Sequence, residues 1–355
     1  MKERIKRARK LMAEKELEAL IIDSDTNRFY LTGFTGTAGR VLFTPGHNYF
    51  ITDFRYTEQA REQTDGFEIL EISRDVEEKL ADILKKESIN KLGFESKVIT
   101  FKQYNNYKDK FDDLQLVATE GLIEKLRVIK DQSEIKKIQK AIDITDEAFN
   151  HILDFITPGL TEREVALELE FFMKKQGGNK VAFDFIVASG QRSSMPHGVA
   201  SQKKLEKGDF ITIDFGITYQ GYCSDLTRTV ILGEATKKQR KIYDTVLKAQ
   251  LAVIDQVKAG MTAKEVDAIA RDIINEAGYK DNFGHGLGHG VGIEVHEDPR
   301  VSYTSDATLK SGMVITDEPG IYLPEWGGVR IEDDLLITDD GCRVLNNSPK
   351  DLIVL

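Results

Sequence analysis

Cysteine is nearly absent: Cys223 and Cys342 are the only two in 355 residues. That is too few for a disulfide framework and fits a reducing cytoplasm. No apolar run is long enough to span a bilayer, so a helical membrane protein is not expected. The opening stretch, MKERIKRARKLMAEKELEAL, is charged throughout and lacks the apolar core of a signal peptide, so secretion is not expected either. Basic clusters are missing as well, and a formal net charge of −10 leaves no footprint for nucleic acid. What is there is ordinary soluble composition, 41% hydrophobic and 30% charged, in a chain long enough for two domains.

The spacing of apolar residues divides the chain unequally. Up to about residue 124, short strand-like runs (19–23, 40–44, 49–52, 92–93, 116–118) alternate with helical patterns (3–20, 55–64, 75–87, 102–112), which predicts a small α/β domain over 1–124. Two stretches there read as loops, SDTN at 24–27 and GFTGTAG at 33–39. The second is taken as a flexible loop serving an active site, that of a partner subunit included. From residue 125 onward the texture changes. A long helical pattern runs from Ser133, its expected N-cap, to a stop at Pro158-Gly159. Self-comparison then shows a repeat: PGLTEREV at 158–165 matches AGMTAKEV at 259–266, and LEKGDFITIDFG at 205–216 matches LKSGMVITDEPG at 309–320. The second domain, 125–355, is therefore a duplication with a pseudo-two-fold axis. That pairing sets Asp214 opposite Glu318.

Residues 283–299, FGHGLGHGVGIEVHEDP, hold three of the six histidines in a run too glycine-rich for a helix interior, since each Gly costs ~1 kcal/mol there. The glycines imply backbone that something approaches closely, read as a metal or substrate. His289 and His296 are an odd number of residues apart and would face opposite ways in straight strand, so one is read as a ligand and the other as an acid/base group. Carboxylates supply the rest. Asp214 and Asp225 are symmetric about a turn near 219–221, and a regular hairpin would oppose them directly; Glu318 and Glu332 are symmetric about 324–328. Four facing carboxylates require cations. Oxygen-rich ligands with one imidazole suit Mn²⁺ first, Co²⁺ or Zn²⁺ next, and five ligands serve two ions if some carboxylates bridge. Such a pair can hold a hydroxide and polarise a carbonyl, which is hydrolase chemistry.

With the contexts DFG, SDLTRT, GHGVGIEVHE, EPGIY and VRIED around Asp214, Asp225, His289, Glu318 and Glu332, the whole chain closely resembles the Xaa-Pro aminopeptidase and prolidase branch of the pita-bread metallopeptidases. The resemblance implies that Asp214 chelates one metal, that His289 and Glu318 chelate the other, and that Asp225 and Glu332 bridge. His197 in MPHG and His296 in VHE match histidines that contact substrate and stabilise the intermediate, and His285 matches one bordering the substrate pocket. Glu318 is the expected proton carrier. Arg300 matches an arginine near the proline carboxylate of prolidases, while Arg330 is read as a substrate-side arginine that more readily braces the metal carboxylates. The substrates implied are proline-containing peptides, the compartment the cytoplasm and the assembly a homodimer. Asp317, directly before Glu318, departs from the family's usual small or apolar residue. Cys223 is read as packing, and His47 and His151 as bystanders. A methionine-aminopeptidase-like enzyme and a metal-free relative, creatinase-type or a binding module, are the alternatives; the first lacks the N-terminal domain and the second the ligand set.

Overall fold

Short apolar runs between amphipathic helices build the first of two units, Met1–Arg127, in a computed structural model that describes residues 1–72 and 74–355. Its six-stranded sheet runs in the order Glu68–Glu71, Asn48–Thr52, Arg40–Phe43, Ala19–Ile22, Lys91–Glu95, Gln115–Thr119. Ala19–Ile22 is central and buried along its whole length, which is why it reads ALII rather than alternating. SDTN is not a loop. Ser24 accepts the Asn27 N–H and caps the helix Asp25–Thr32, so the polar cluster marks a helix start. The stretch 33–39 is a braced turn rather than a flexible loop: Arg28 donates to the Gly36 and Gly39 carbonyls at 2.8 and 2.7 Å, and Gln63 accepts the Thr35 N–H. The unit ends at Arg127 rather than at 124, because Arg127 donates to Asn27 and the Leu126 carbonyl accepts from Tyr30.

The second unit, Val128–Leu355, repeats one motif twice. Two helices, Gln132–Phe155 and Glu162–Lys175, precede a three-stranded sheet of Ile186–Ser189, Phe210–Phe215 and Leu226–Ile231. Two more, Lys237–Gln256 and Ala263–Glu276, precede a five-stranded sheet ordered Glu297–Val301, Gly288–Gly290, Val314–Asp317, Asp333–Ile337, Cys342–Val344. The N-cap of the first long helix is Asp131 rather than Ser133, because Asp131 accepts the Ser133 and Glu134 N–H groups while Glu134 takes the Asp131 N–H. Each helix pair covers one sheet and closes its own apolar core, one around Phe149, Leu169 and Ile213 and one around Val246, Val266 and Ile315. Among the described residues no helix is long and apolar enough to cross a membrane.

Strand register decides where the acids lie. Phe210–Phe215 pairs antiparallel with Leu226–Ile231 so that Asp214 opposes Thr227, and Asp225 falls just before the strand. The directly opposed Asp214/Asp225 pair is thus corrected by a two-residue shift. The cause is the turn: Tyr219 pairs with Tyr222, leaving Gln220 and Gly221 at the tip, both at positive φ (47° and 83°). In the other half the symmetric reading holds. Asp317 opposes Asp333 and Gly320 opposes Arg330 in one register, which places Glu318 across from Glu332 where the ladder opens. Their backbone N–H groups turn elsewhere, Glu318 to the Leu287 carbonyl and Glu332 to the Thr227 carbonyl.

Candidate metal centre

Each acid is placed by the end of a strand in its half. Asp214 is the penultimate residue of Phe210–Phe215 and Glu318 follows Val314–Asp317; Asp225 precedes Leu226–Ile231 and Glu332 precedes Asp333–Ile337. The halves then lock together through these ends. Asp225 N–H donates to Asp334 at 3.1 Å, Thr227 Oγ donates to Glu332 at 2.5 Å, and the fully buried Arg228 donates to the Glu332 carbonyl and the Asp333 carboxylate. His289 comes from the glycine run. What approaches its neighbours is backbone, not a ligand: a Cβ on Gly288 would lie 2.2 Å from the Thr316 carbonyl oxygen, and one on Gly290 2.4 Å from that of Asp298. A register shift after His289 bends the chain, so that the His289 and His296 rings meet, tilted at 53°, with centroids 4.1 Å apart despite their odd spacing.

Asp225, His289 and Glu332 offer ligand atoms that all lie within 4.8 Å of one another. The His289 Nδ1 faces the Gly290 carbonyl at 3.2 Å and so carries the proton, which turns the Nε2 lone pair toward Glu318 at 3.4 Å and Asp225 at 3.7 Å. A lone pair faces carboxyl oxygens. In the same cluster the buried Asp214 Oδ1 has no hydrogen-bond partner among the described residues. Burial, and then the charges of Glu332, Asp214, Asp334 and Glu318, push the Asp225 carboxyl well above the usual range. Burial followed by Glu318 and Asp214 does the same to Glu332, and burial raises Glu318 to about 8. His289 is lowered to about 3, chiefly by burial. A neutral imidazole among acids that resist ionisation is a donor set that divalent cations complete.

The supporting residues were less visible in the sequence. Arg330 is committed to protein partners: Nη2 to Asp214 at 2.6 Å, Nε to Thr227, and Nη1 to the Tyr322 hydroxyl at 2.9 Å and the Pro196 carbonyl at 3.3 Å. Tyr322, which ends the EPGIY stretch but was given no role from it, relays this to His285 Nε2 at 2.9 Å, while His285 Nδ1 gives its proton to the Gly286 carbonyl. Burial lowers His285 to about 4 and keeps that relay neutral. His197 and His296 are exposed and electrostatically coupled to Asp214. Arg300 is exposed too; its strand position opposes His289, which puts both side chains on one sheet face, and its guanidinium has no hydrogen bond or ion pair among the described residues. Asp317 is fully buried, with both oxygens unpartnered among the described residues; burial and then Asp333 and Glu318 raise it well above the usual range. Cys223 packs with its thiol on the Ile293 carbonyl; His47 stacks on Tyr49 within the first unit, and His151 on Phe172.

The sequence pattern of metallopeptidase family M24 matches residues 136–339, and that of the creatinase/prolidase N-terminal domain matches 4–129. The chain belongs to metallopeptidase family M24. Membership makes it a hydrolase and implies divalent metal ions. It is 42% identical over 355 residues to an Xaa-Pro dipeptidase of Pyrococcus furiosus, covering 99% of this chain and 100% of the relative. Among solved structures it is similar to an Xaa-Pro dipeptidase from Bacillus anthracis (TM-score 0.97, 49% identity, 99% of both chains). It is also similar to an X-Pro aminopeptidase from Thermotoga maritima (TM-score 0.93, 38% identity, 98% of this chain and 100% of that one). The fold is that of the M24 pita-bread enzymes with their N-terminal domain, as the duplication and the two units indicate.

Proposed function

We propose that this enzyme hydrolyses the bond between an N-terminal residue and a following proline, with Xaa-Pro dipeptides as preferred substrates. The observation that carries the reading is the neutral His289 facing buried carboxylates from both halves, in a chain whose full-length relatives include Xaa-Pro dipeptidases. Asp214 would hold one ion, His289 and Glu318 the other, with Asp225 and Glu332 shared between them. Mn²⁺ is the expected metal, with Co²⁺ or Zn²⁺ also suited to the donors. When bound, the ions supply an activated water at neutral pH and Lewis-acid polarisation of the scissile carbonyl.

The protein's own side chains do the rest. Hydrolysis adds one water oxygen to the carbonyl carbon and delivers a proton to the proline nitrogen. Glu318 is the carboxylate that takes that proton and returns it. His197 and His296, on two loops beside Asp214, donate hydrogen bonds to the developing oxyanion or the proline nitrogen. Tyr322 and Arg330 hold Asp214 and His285 in place, with His285 forming a pocket wall. Arg300, in register with His289 and uncommitted among the described residues, reads the carboxylate that follows proline in a dipeptide. A reducing cytoplasm suits the two free cysteines, and a homodimer is the expected assembly, which sedimentation would check.

The test compares an Xaa-Pro dipeptide with its C-terminal amide and with an Xaa-Pro-Xaa tripeptide, in the wild type and in Arg300→Ala. The wild type is expected to prefer the free dipeptide by about 1.5–3 kcal/mol in kcat/KM, and the variant to lose that preference. A better tripeptide substrate with no effect of Arg300→Ala makes the enzyme an aminopeptidase.

A further inference from the structure

Both halves of the second unit tie the start of their shorter helix to the segment just before a later strand by matching backbone bonds. In the first, Gly159, Glu162 and Arg163 N–H groups go to the Leu205, Lys203 and Ser201 carbonyls; in the second, Gly260, Ala263 and Lys264 go to Leu309, Ala307 and Ser305. Both helices also carry the same Thr and Glu capping box. The duplication is thus its own control. Where the second half has Ala263, the attachment is complete without a side chain. Where the first half has Glu162, a fully buried carboxylate collects five donors. Oε1 accepts from Ser189 N–H at 2.8 Å and Ser189 Oγ at 2.9 Å; Oε2 accepts from Ser201 N–H at 3.0 Å, Ser201 Oγ at 2.6 Å and Arg192 Nη1.

Those donors bracket one segment. Ser189 and Arg192 stand before His197 and Ser201 after it, and Arg192 also donates to the Val199 carbonyl at 2.9 Å. Both feet of the His197 loop therefore stand on a single carboxylate. On the opposite side Ser193 accepts the Gly328 N–H at 2.8 Å and the Pro196 carbonyl accepts from Arg330. The His197 ring itself is exposed. A buried carboxylate is costly unless its oxygens are fully engaged, and here the engagement falls on a loop that bears a proposed substrate-contacting histidine.

We propose that Glu162 is a positioning residue of the hydrolytic reaction, clamping the loop of residues 189–201 so that His197 is held over the metal centre. This rests on the reading of His197 as a substrate contact. A loop released from the clamp has to be ordered in each turnover, at the expense of the transition state.

The test is a double-mutant cycle with Glu162→Gln and His197→Ala, following kcat, KM, metal content and thermal unfolding. Gln keeps the size but presents N–H groups where Arg192 and the serines already donate. Glu162→Gln is expected to keep its fold and metal and to lose roughly 10- to 100-fold in kcat/KM, no more than His197→Ala loses, and to add nothing in the His197→Ala background. Wild-type kinetics in Glu162→Gln, or an equal loss in both backgrounds, overturns the proposal in favour of a purely structural carboxylate. Wild-type kinetics in His197→Ala overturns the reading beneath it instead, and the proposal with it. If Glu162→Gln does not fold, Ser201→Ala removes one residue's hydroxyl donor and enters the same cycle, where a loss confined to the His197 background supports the clamp and an equal loss in both backgrounds overturns it.

Discussion

Removing the metal ions turns the centre into a cluster of buried acids, and the stability of the metal-free protein should then fall as pH rises from 6.5 to 8. Acids with raised pKa values bind protons more tightly in the folded than in the unfolded chain, so stability declines between the ordinary value near 4 and the raised one. His285, His289 and His296 are lowered, chiefly by burial, which adds stability as pH rises through the ordinary histidine value near 6.5; about 0.4 kcal/mol per histidine is still to be gained above pH 6.5 and is nearly all in place by about pH 7.5. The raised acids act against that remainder throughout the window. Glu318, raised to about 8, keeps one extra proton in the folded state over this window. At about 1.4 kcal/mol per proton per pH unit, Glu318 alone removes about 1–2 kcal/mol by pH 8. Asp225 and Glu332, pushed well above their usual range, act in the same direction. For a unit of this size that is a Tm loss of roughly 2–8 °C. Thermal unfolding of chelator-treated protein across the window measures it, with Glu318→Gln as the variant that flattens the slope. Added Mn²⁺ should abolish the decline, because cations bind the ionised acids and displace their protons. A metal-free Tm that is flat or rises from pH 6.5 to 8 would refute the reasoning.

Asp225→Asn removes a shared charge and should lower both metal content and turnover; elemental analysis showing full occupancy at an unchanged rate would end the bridging assignment. His296→Ala should keep its metal and lose roughly 10²-fold in kcat, and loss of metal instead would mean the two histidines have exchanged roles. Gly288→Ala sets a Cβ 2.2 Å from the Thr316 carbonyl, so it should cost about 1–3 kcal/mol or more and displace His289, visible as a lower Tm together with weaker metal binding.

Candidate ligands could be proposed from the sequence because the halves align without knowledge of the fold and set Asp214 on Glu318; the structure brings ligand atoms of Asp225, His289 and Glu332 within 4.8 Å of one another. Register was legible only where the turn was. Glu318 and Glu332 fell opposite one another as expected, whereas Gln220 and Gly221 adopt positive φ in a two-residue turn that moved Thr227 across from Asp214. Gln is not a residue from which left-handed backbone is read. Arg330 was read as a brace on the metal carboxylates and does donate to Asp214, but the rest of its relay, through Tyr322 to His285, stayed hidden for a different reason. It joins Pro196, Asp214 and Thr227 to residues more than a hundred positions later, and no spacing rule spans such a distance. Local polarity misled at SDTN, where a helix cap has the same composition as a loop.

The interlocking of the halves bears on the order of folding events. The bond from Asp225 to Asp334 closes 109 residues of chain and that from Thr227 to Glu332 closes 105, so neither can form until both motifs exist and meet. Contacts of such sequence separation are slow to acquire and come late in a folding reaction. All four carboxylates are therefore expected to come together only late in folding. Added cation should therefore slow unfolding while leaving the refolding rate of the metal-free chain nearly unchanged, the kinetic signature of a ligand that recognises only the finished native state.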